Sequence, residues 1–166
     1  NTDGINRVDA TFSWRNSYGT LGSSTVQGAT LDNIIEYIGL AEGAEVDSAE
    51  IICSDGFTVT FTADEIYNTD MDGNKAMFIW TQDSDKVQKA IIGRFEESDV
   101  NLTRWARNVE TIIVNAKAEQ DDSTAGDATA ETADLAITGD ALARDGYFTI
   151  KAIQNTEGID RVDATF

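Results

Sequence analysis

The sequence predicts an α+β fold: a mixed, barrel-like β-sheet domain with a few short helices, completed by strands lying across a tandem repeat boundary. Three observations carry this. Several segments alternate apolar and polar residues at the strand period, and one segment follows the helical period. Residues 1–12 and 155–166 are near-copies, Asn-Thr-Asp-Gly-Ile-Asn-Arg-Val-Asp-Ala-Thr-Phe and Asn-Thr-Glu-Gly-Ile-Asp-Arg-Val-Asp-Ala-Thr-Phe, identical at ten of twelve positions. Between them lies a stretch, 115–134, with no large apolar residue.

In chain order, 7–14 is a half-buried strand, with Val8, Ala10, Phe12 and Trp14 on one face and Arg7, Asp9, Thr11 and Ser13 on the other. Residues 15–28, rich in Ser, Gly, Asn and Thr, read as a loop. Leu31, Ile34, Ile35 and Ile38 make one apolar helical stripe, with Thr30 as N-cap and Gly39 beyond the C-terminus. Asp55-Gly56 joins an apolar run at 49–54 to a strand bearing Phe57, Val59 and Phe61. Thr62 and Glu65 have capping-box spacing, which predicts a helical turn near 63–67. Polar turns are expected at 68–75 and 81–86, and strands at 76–80, within 87–95 and at 109–114. Residues 101–108 read as a short helix or loop with Trp105 inward, and 135–138 and 147–153 as strands joined by 139–146.

Composition narrows the function. Twelve Lys plus Arg against thirty Asp plus Glu give a net charge of −18, which excludes nucleic acid and anionic membrane as partners, since both need a positive face. Salt screens the self-repulsion of such a surface. With no histidine, the commonest general base and the commonest transition-metal ligand are missing. The single Cys53 forms no disulfide within the chain. No apolar run reaches the ~18–20 residues that span a bilayer, so no membrane insertion is expected.

The repeat organises the domains. With an offset of 154 residues, the chain is expected to begin inside one unit of a tandem array and end inside the next. Residues 1–114 are then the C-terminal part of one unit, 115–134 an acidic Ala/Asp/Thr linker, and 135–166 the N-terminal strands of the next. Residues 13–114 lack their own first strands, and a missing strand leaves an open edge and an uncovered apolar face. The equivalents at 135–154 complete the domain in cis or in trans, because a twenty-residue linker spans up to roughly 60–70 Å.

Taken in circular order, 135–166 then 13–114, three stretches resemble the molybdopterin-binding domain of the sulfite oxidase family. They are Gly28-Ala29-Thr30-Leu31 running to Ile38-Gly39-Leu40, Cys53-Ser54-Asp55-Gly56-Phe57-Thr58-Val59, and Trp105-Ala106-Arg107-Asn108-Val109. The resemblance implies that family's α+β fold. Its activity depends on a molybdenum-bound cysteine after the early strand. Here that place reads Phe12-Ser13-Trp14-Arg15-Asn16, and serine is a poor substitute for a soft thiolate. The resemblance therefore implies the fold and argues against the activity.

Asp70, Asp72 and Asn74 alternate as in a calcium loop, but the glycine stands at the fourth position and Thr81 occupies the twelfth, where a bidentate Glu is needed. They are the candidate Ca²⁺ ligands, weighed against a plain polar turn. Cys53, beside Ile51 and Ile52, is expected in the core. Glu96-Glu97 and Asp64-Glu65 are carboxylate pairs of the kind thirty acids produce by composition. Trp14, Tyr18, Trp80 and Trp105 could line a carbohydrate groove, with Trp14 and Trp80 expected in the core and Tyr18 at the surface. Asn101-Leu102-Thr103 has the form of a glycosylation sequon. With no catalytic constellation, the expectation is a non-enzymatic structural module of a tandem-repeat protein at the cell surface or outside the cell. Its expected partner is itself, in filaments made by strand donation or domain swapping. The alternatives are a degenerate molybdopterin-type oxidoreductase domain and a small-ligand or glycan-binding module.

Overall fold

The computed structural model describes residues 4–117, 135–143 and 146–148. In chain order its elements are β1 (Val8–Arg15), β2 (Leu21–Thr30), α1 (Leu31–Ile38), β3 (Val46–Cys53), β4 (Thr58–Thr62), α2 (Ala63–Tyr67), β5 (Met77–Gln82), β6 (Asp85–Ile91), a 3₁₀ turn (Leu102–Arg104), β7 (Ala106–Arg107), β8 (Val109–Ala116), β9 (Leu135–Thr138) and β10 (Gly146–Phe148). The strands form two five-stranded sheets, ordered β1-β2-β5-β6-β7 and β10-β9-β8-β3-β4. The domain is mostly β-sheet with a few short helices, a small α+β fold. All pairings are antiparallel except β8 with β9, which sets Thr111 opposite Ala136 and Ile113 opposite Thr138.

The apolar patterns account for the layers. The α1 stripe of Leu31, Ile34, Ile35 and Ile38 is buried against Ala49, Ile51, Phe61, Ile112 and Val114 in the larger core. In β5 all four residues Met77–Trp80 are buried. Phe78 and Trp80 enter the larger core, while Met77 and Ile79 join Phe12, Val26, Ile91 and Trp105 in a second cluster. A strand buried on both faces gives a continuous apolar run rather than an alternating one. Thr62 and Glu65 make the expected capping box on α2, each side chain reaching the other's backbone N–H.

Residues 135–143 are tied to the same chain. Ile137, Ala141 and Leu142 are buried in the larger core. The Ala116 N–H donates to Asp140 Oδ1 at 2.7 Å, and Ala143 N–H donates to the Gly39 carbonyl at 2.8 Å. Gly139 adopts φ 136°, and a Cβ there would stand 1.8 Å from the Val114 carbonyl oxygen. Most of the expected linker, residues 1–3 of the first copy, most of the strand expected over 147–153 and the whole second copy, 155–166, lie outside the described residues.

Two expectations are corrected. The loop expected over 15–28 gives way at Leu21 to β2, which pairs with β1 on one side and β5 on the other. Its small residues meet the packing of a strand between two neighbours. The Trp14 ring lies over Gly22, where a Cβ would come within 2.2 Å of it, and a Cβ on Gly28 would lie 2.2 Å from the Phe78 carbonyl oxygen. The polar turn expected over 81–86 contracts to Asp83-Ser84, both at positive φ (49° and 75°), as in two-residue hairpins whose twist matches that of the strands. The Asp83 carboxylate accepts from the Thr25 N–H at 2.9 Å and anchors this turn.

Gly28→Ala should lower the denaturation midpoint, costing about 1–3 kcal/mol, because the obstruction is backbone and cannot rotate away. Urea unfolding at an unchanged slope would show it.

Candidate functional site: the edge of β1

One edge of β1 is laddered to β2, from Val8 opposite Gly28 to Arg15 opposite Leu21. The other edge has no strand beside it among the described residues. An open edge presents unpaired N–H and C=O groups from alternate residues. Here side chains meet them. The Thr11 carbonyl accepts from Asn74 Nδ2 at 2.6 Å, and the Ser13 N–H donates to Asp72 Oδ2 at 2.8 Å. The Ser13 carbonyl accepts from Asn101 Nδ2 at 3.0 Å, and the Arg15 N–H donates to Asn101 Oδ1 at 2.9 Å. Asn101 is 1% exposed and also donates to the Ile92 carbonyl at 3.3 Å. A carboxamide carries both a donor and an acceptor, so Asn101 supplies what a peptide of a further strand would have supplied. Arg15 adds a bond from Nη2 to the Glu97 carbonyl at 2.6 Å.

Inside the sheet, Phe12 is the anchor. It is fully buried and meets Trp105 edge-on, ring centroids 6.5 Å apart and planes at 89°. The Trp105 indole is oriented by its bond to the Ile92 carbonyl at 2.8 Å. Ile92 thus holds both Trp105 and Asn101.

The residues singled out as calcium candidates do come together, in the turn that clasps β1. Asp70 Oδ1 accepts from the N–H groups of Asp72 (2.9 Å) and Asn74 (3.0 Å), an Asx turn closed through Gly73 at φ 78°. Asp72 and Asn74 then spend their side chains on β1. Asp70 Oδ2 is buried without a hydrogen-bond partner and packs against Gly93, where a Cβ would lie 1.3 Å from it. Burial raises the Asp70 pKa above the usual aspartate value, and the neighbouring Asp72 charge adds to this, against the N–H groups that lower it. Among the described residues no three acidic or cysteine side chains converge as a metal-holding group.

The other candidates are dispersed. Cys53 is buried, 2% exposed, and burial raises its pKa, with Asp55 adding to the effect. Trp80 and Trp105 are core residues, while Tyr18 stands 92% exposed by itself, so these aromatics do not share a surface groove. Asp64 accepts from the Asn68 amide. Glu65 caps α2 and pairs with Arg104; burial works against its ionisation, but Arg104 and Thr62 hold its pKa below the ordinary value. The Glu97 carbonyl receives Arg15 and Arg94. Asn101, seen in the sequence only as a sequon, has its amide nitrogen spent inside the fold. The signal missed was tertiary: its partners lie 86 and 88 residues away.

Both backbone polar groups of Ser13 are bonded, and Cys53 is buried in a strand of the other sheet. No protein-family model matches the chain, and no curated protein matches it. Among the described residues no helix is long and apolar enough to cross a membrane.

Two outcomes test the clasp. The folded state holds the Asp70 proton more tightly than the unfolded chain does, so stability is greatest where both are protonated. It falls as pH rises from the ordinary aspartate range through the raised value, and is flat above that. Asp70→Asn keeps the Oδ1 acceptor and removes this fall, so its melting temperature should gain on the parent as pH rises above the ordinary aspartate range. Parallel melting curves that never diverge would refute the assignment. Because Asp70 Oδ1 and Asp72 Oδ2 are committed to backbone N–H groups, millimolar calcium should leave the melting temperature of the parent chain unchanged, whereas a filled calcium site would raise it.

Proposed function

We propose that this chain is a non-enzymatic structural module of a tandem-repeat, extracellular or cell-surface protein whose copies link by exchanging the β1 strand. One observation carries the reading: the β1 slot holds Val8-Asp9-Ala10-Thr11-Phe12, and the same five residues recur at 162–166. The second copy repeats the side chains of the first five slot positions, including Phe166 as the counterpart of Phe12. A single domain has one such slot, so the second copy suits the slot of a neighbouring unit or molecule. β-strand addition of this kind draws its affinity from the backbone ladder and its specificity from alternate side chains. The tie between 135–143 and β8 is also consistent with units that take strands from across the linker. The acidic surface fits a soluble array, and the absence of histidine from the sequence weighs against general-base catalysis. On this reading the sulfite-oxidase-like, barrel-like order of elements survives as a scaffold without that family's chemistry.

Deleting residues 1–12 tests the reading. With the slot emptied, the chain should assemble through 155–166 into a concentration-dependent ladder of oligomers by light scattering or native mass spectrometry. Phe166→Ala in the same background should abolish the ladder, and a peptide of residues 155–166 should cap it. A deletion variant that stays monomeric and ignores the peptide would overturn the proposal.

A further inference from the structure

In a chain of net charge −18, six of the nine described cations are engaged by an acid or a carbonyl. Arg7, Lys75, Arg104 and Lys117 pair with Asp9, Asp32, Glu65 and Glu45. Arg15 and Arg94 are drawn to the Glu97 carbonyl. Lys86, Lys89 and Arg107 remain, and all three line one depression of about 380 Å³ beside the β5–β6 turn, with Gln82, Asp83, Asp85 and Asn108. Neither acid of that lining comes within 4.0 Å of any of the three cations. Asp83 is held by Thr25.

Lys89 and Arg107 are direct cross-strand partners in the β6–β7 pairing. Like charges placed opposite one another destabilise a sheet. Lys89 is moreover only 8% exposed. Its ammonium lies 5.9 Å from the centre of the Trp105 ring and donates to the neutral Gln82 Oε1 at 2.6 Å, and it makes no ion pair within 4.0 Å. A buried, unpaired ammonium facing a second cation is costly unless an anion joins it. Burial lowers the Lys89 pKa and Arg107 adds to this, while Asp83 partly offsets them.

We propose that the depression between the β5–β6 turn and β7 is a binding site for an oxyanion, a carboxylate or phosphate group, held by Lys89 and Arg107 with Lys86 at its rim. The anion would supply the missing counter-charge, and the Arg107 guanidinium can grip two of its oxygens at once. This site is independent of strand exchange at β1, on the opposite edge of the same sheet.

Inorganic phosphate and succinate, each titrated into the full chain, test it by NMR of the backbone amides of 82–89 and 107–108. Saturable shifts are expected with a Kd on the order of 1 mM, weakened by added chloride. Saturation by phosphate alone marks a site for a compact tetrahedral anion, and by succinate alone a site for carboxylates; either supports the proposal. Lys89→Gln should weaken binding about tenfold. Arg107 is exposed, so Arg107→Gln tests the site without endangering the core. It should weaken binding by a similar factor while raising the melting temperature of the anion-free chain, because the like-charge pair is gone. Lys117→Gln should leave binding unchanged. Failure of both probes to saturate, or equal affinity in Arg107→Gln and the parent chain, overturns the proposal.

Discussion

The outer edge of β1 is closed by side chains, and much of the domain is arranged to make that closure work. Asn101 bridges residues 13 and 15 of β1 and reaches Ile92. The Asp70–Asn74 turn holds residues 11 and 13. An isolated backbone hydrogen bond adds only about 1 kcal/mol net, but a buried polar group left unmade costs about 1–3 kcal/mol. The closure therefore acts less by the strength of its bonds than by the cost of leaving Asn101 and the β1 backbone unpaired. Phe12 and Trp105 provide the apolar half of the same arrangement, and Ile92 joins the two halves through its carbonyl.

A strand held on one side by a backbone ladder and on the other by side chains differs from a strand held by ladders on both sides. Side-chain clasps can re-form around any strand of the same sequence and register, because Asp72, Asn74 and Asn101 address only the backbone of β1. Specificity then rests on the inward residues, chiefly Phe12. The proposed strand exchange by the second copy of the pentapeptide rests on that difference. The clasp is general, the anchor is specific, and the repeat preserves the anchor.

Parts of this were legible in the residues themselves. The α1 stripe, the capping box at Thr62 and Glu65, the Asp55-Gly56 hairpin and the alternation through β1 depend on neighbours a few positions apart, so local spacing reveals them. The strand at 21–30 was hidden because its glycines and serines resemble a loop. They are there because Trp14 and the Phe78 carbonyl press against it from elsewhere in the chain. Asp70, Asp72 and Asn74 were legible as a group, since three polar residues alternate within five positions. Their task was not legible, because their partners at 11 and 13 lie some sixty residues away.

By itself the sequence determined the repeat, the net charge, the α+β class and the identity of the pentapeptide that β1 requires. These follow from composition, periodicity and self-similarity, which are properties of the chain read along its length. Only the tertiary structure decided that β1 is an edge strand among the described residues, that Asn101 closes it, and that Lys89 and Arg107 stand opposite one another. Each is a pairing between segments distant along the chain, fixed by sheet order and by the cost of leaving buried polar and charged groups unpaired.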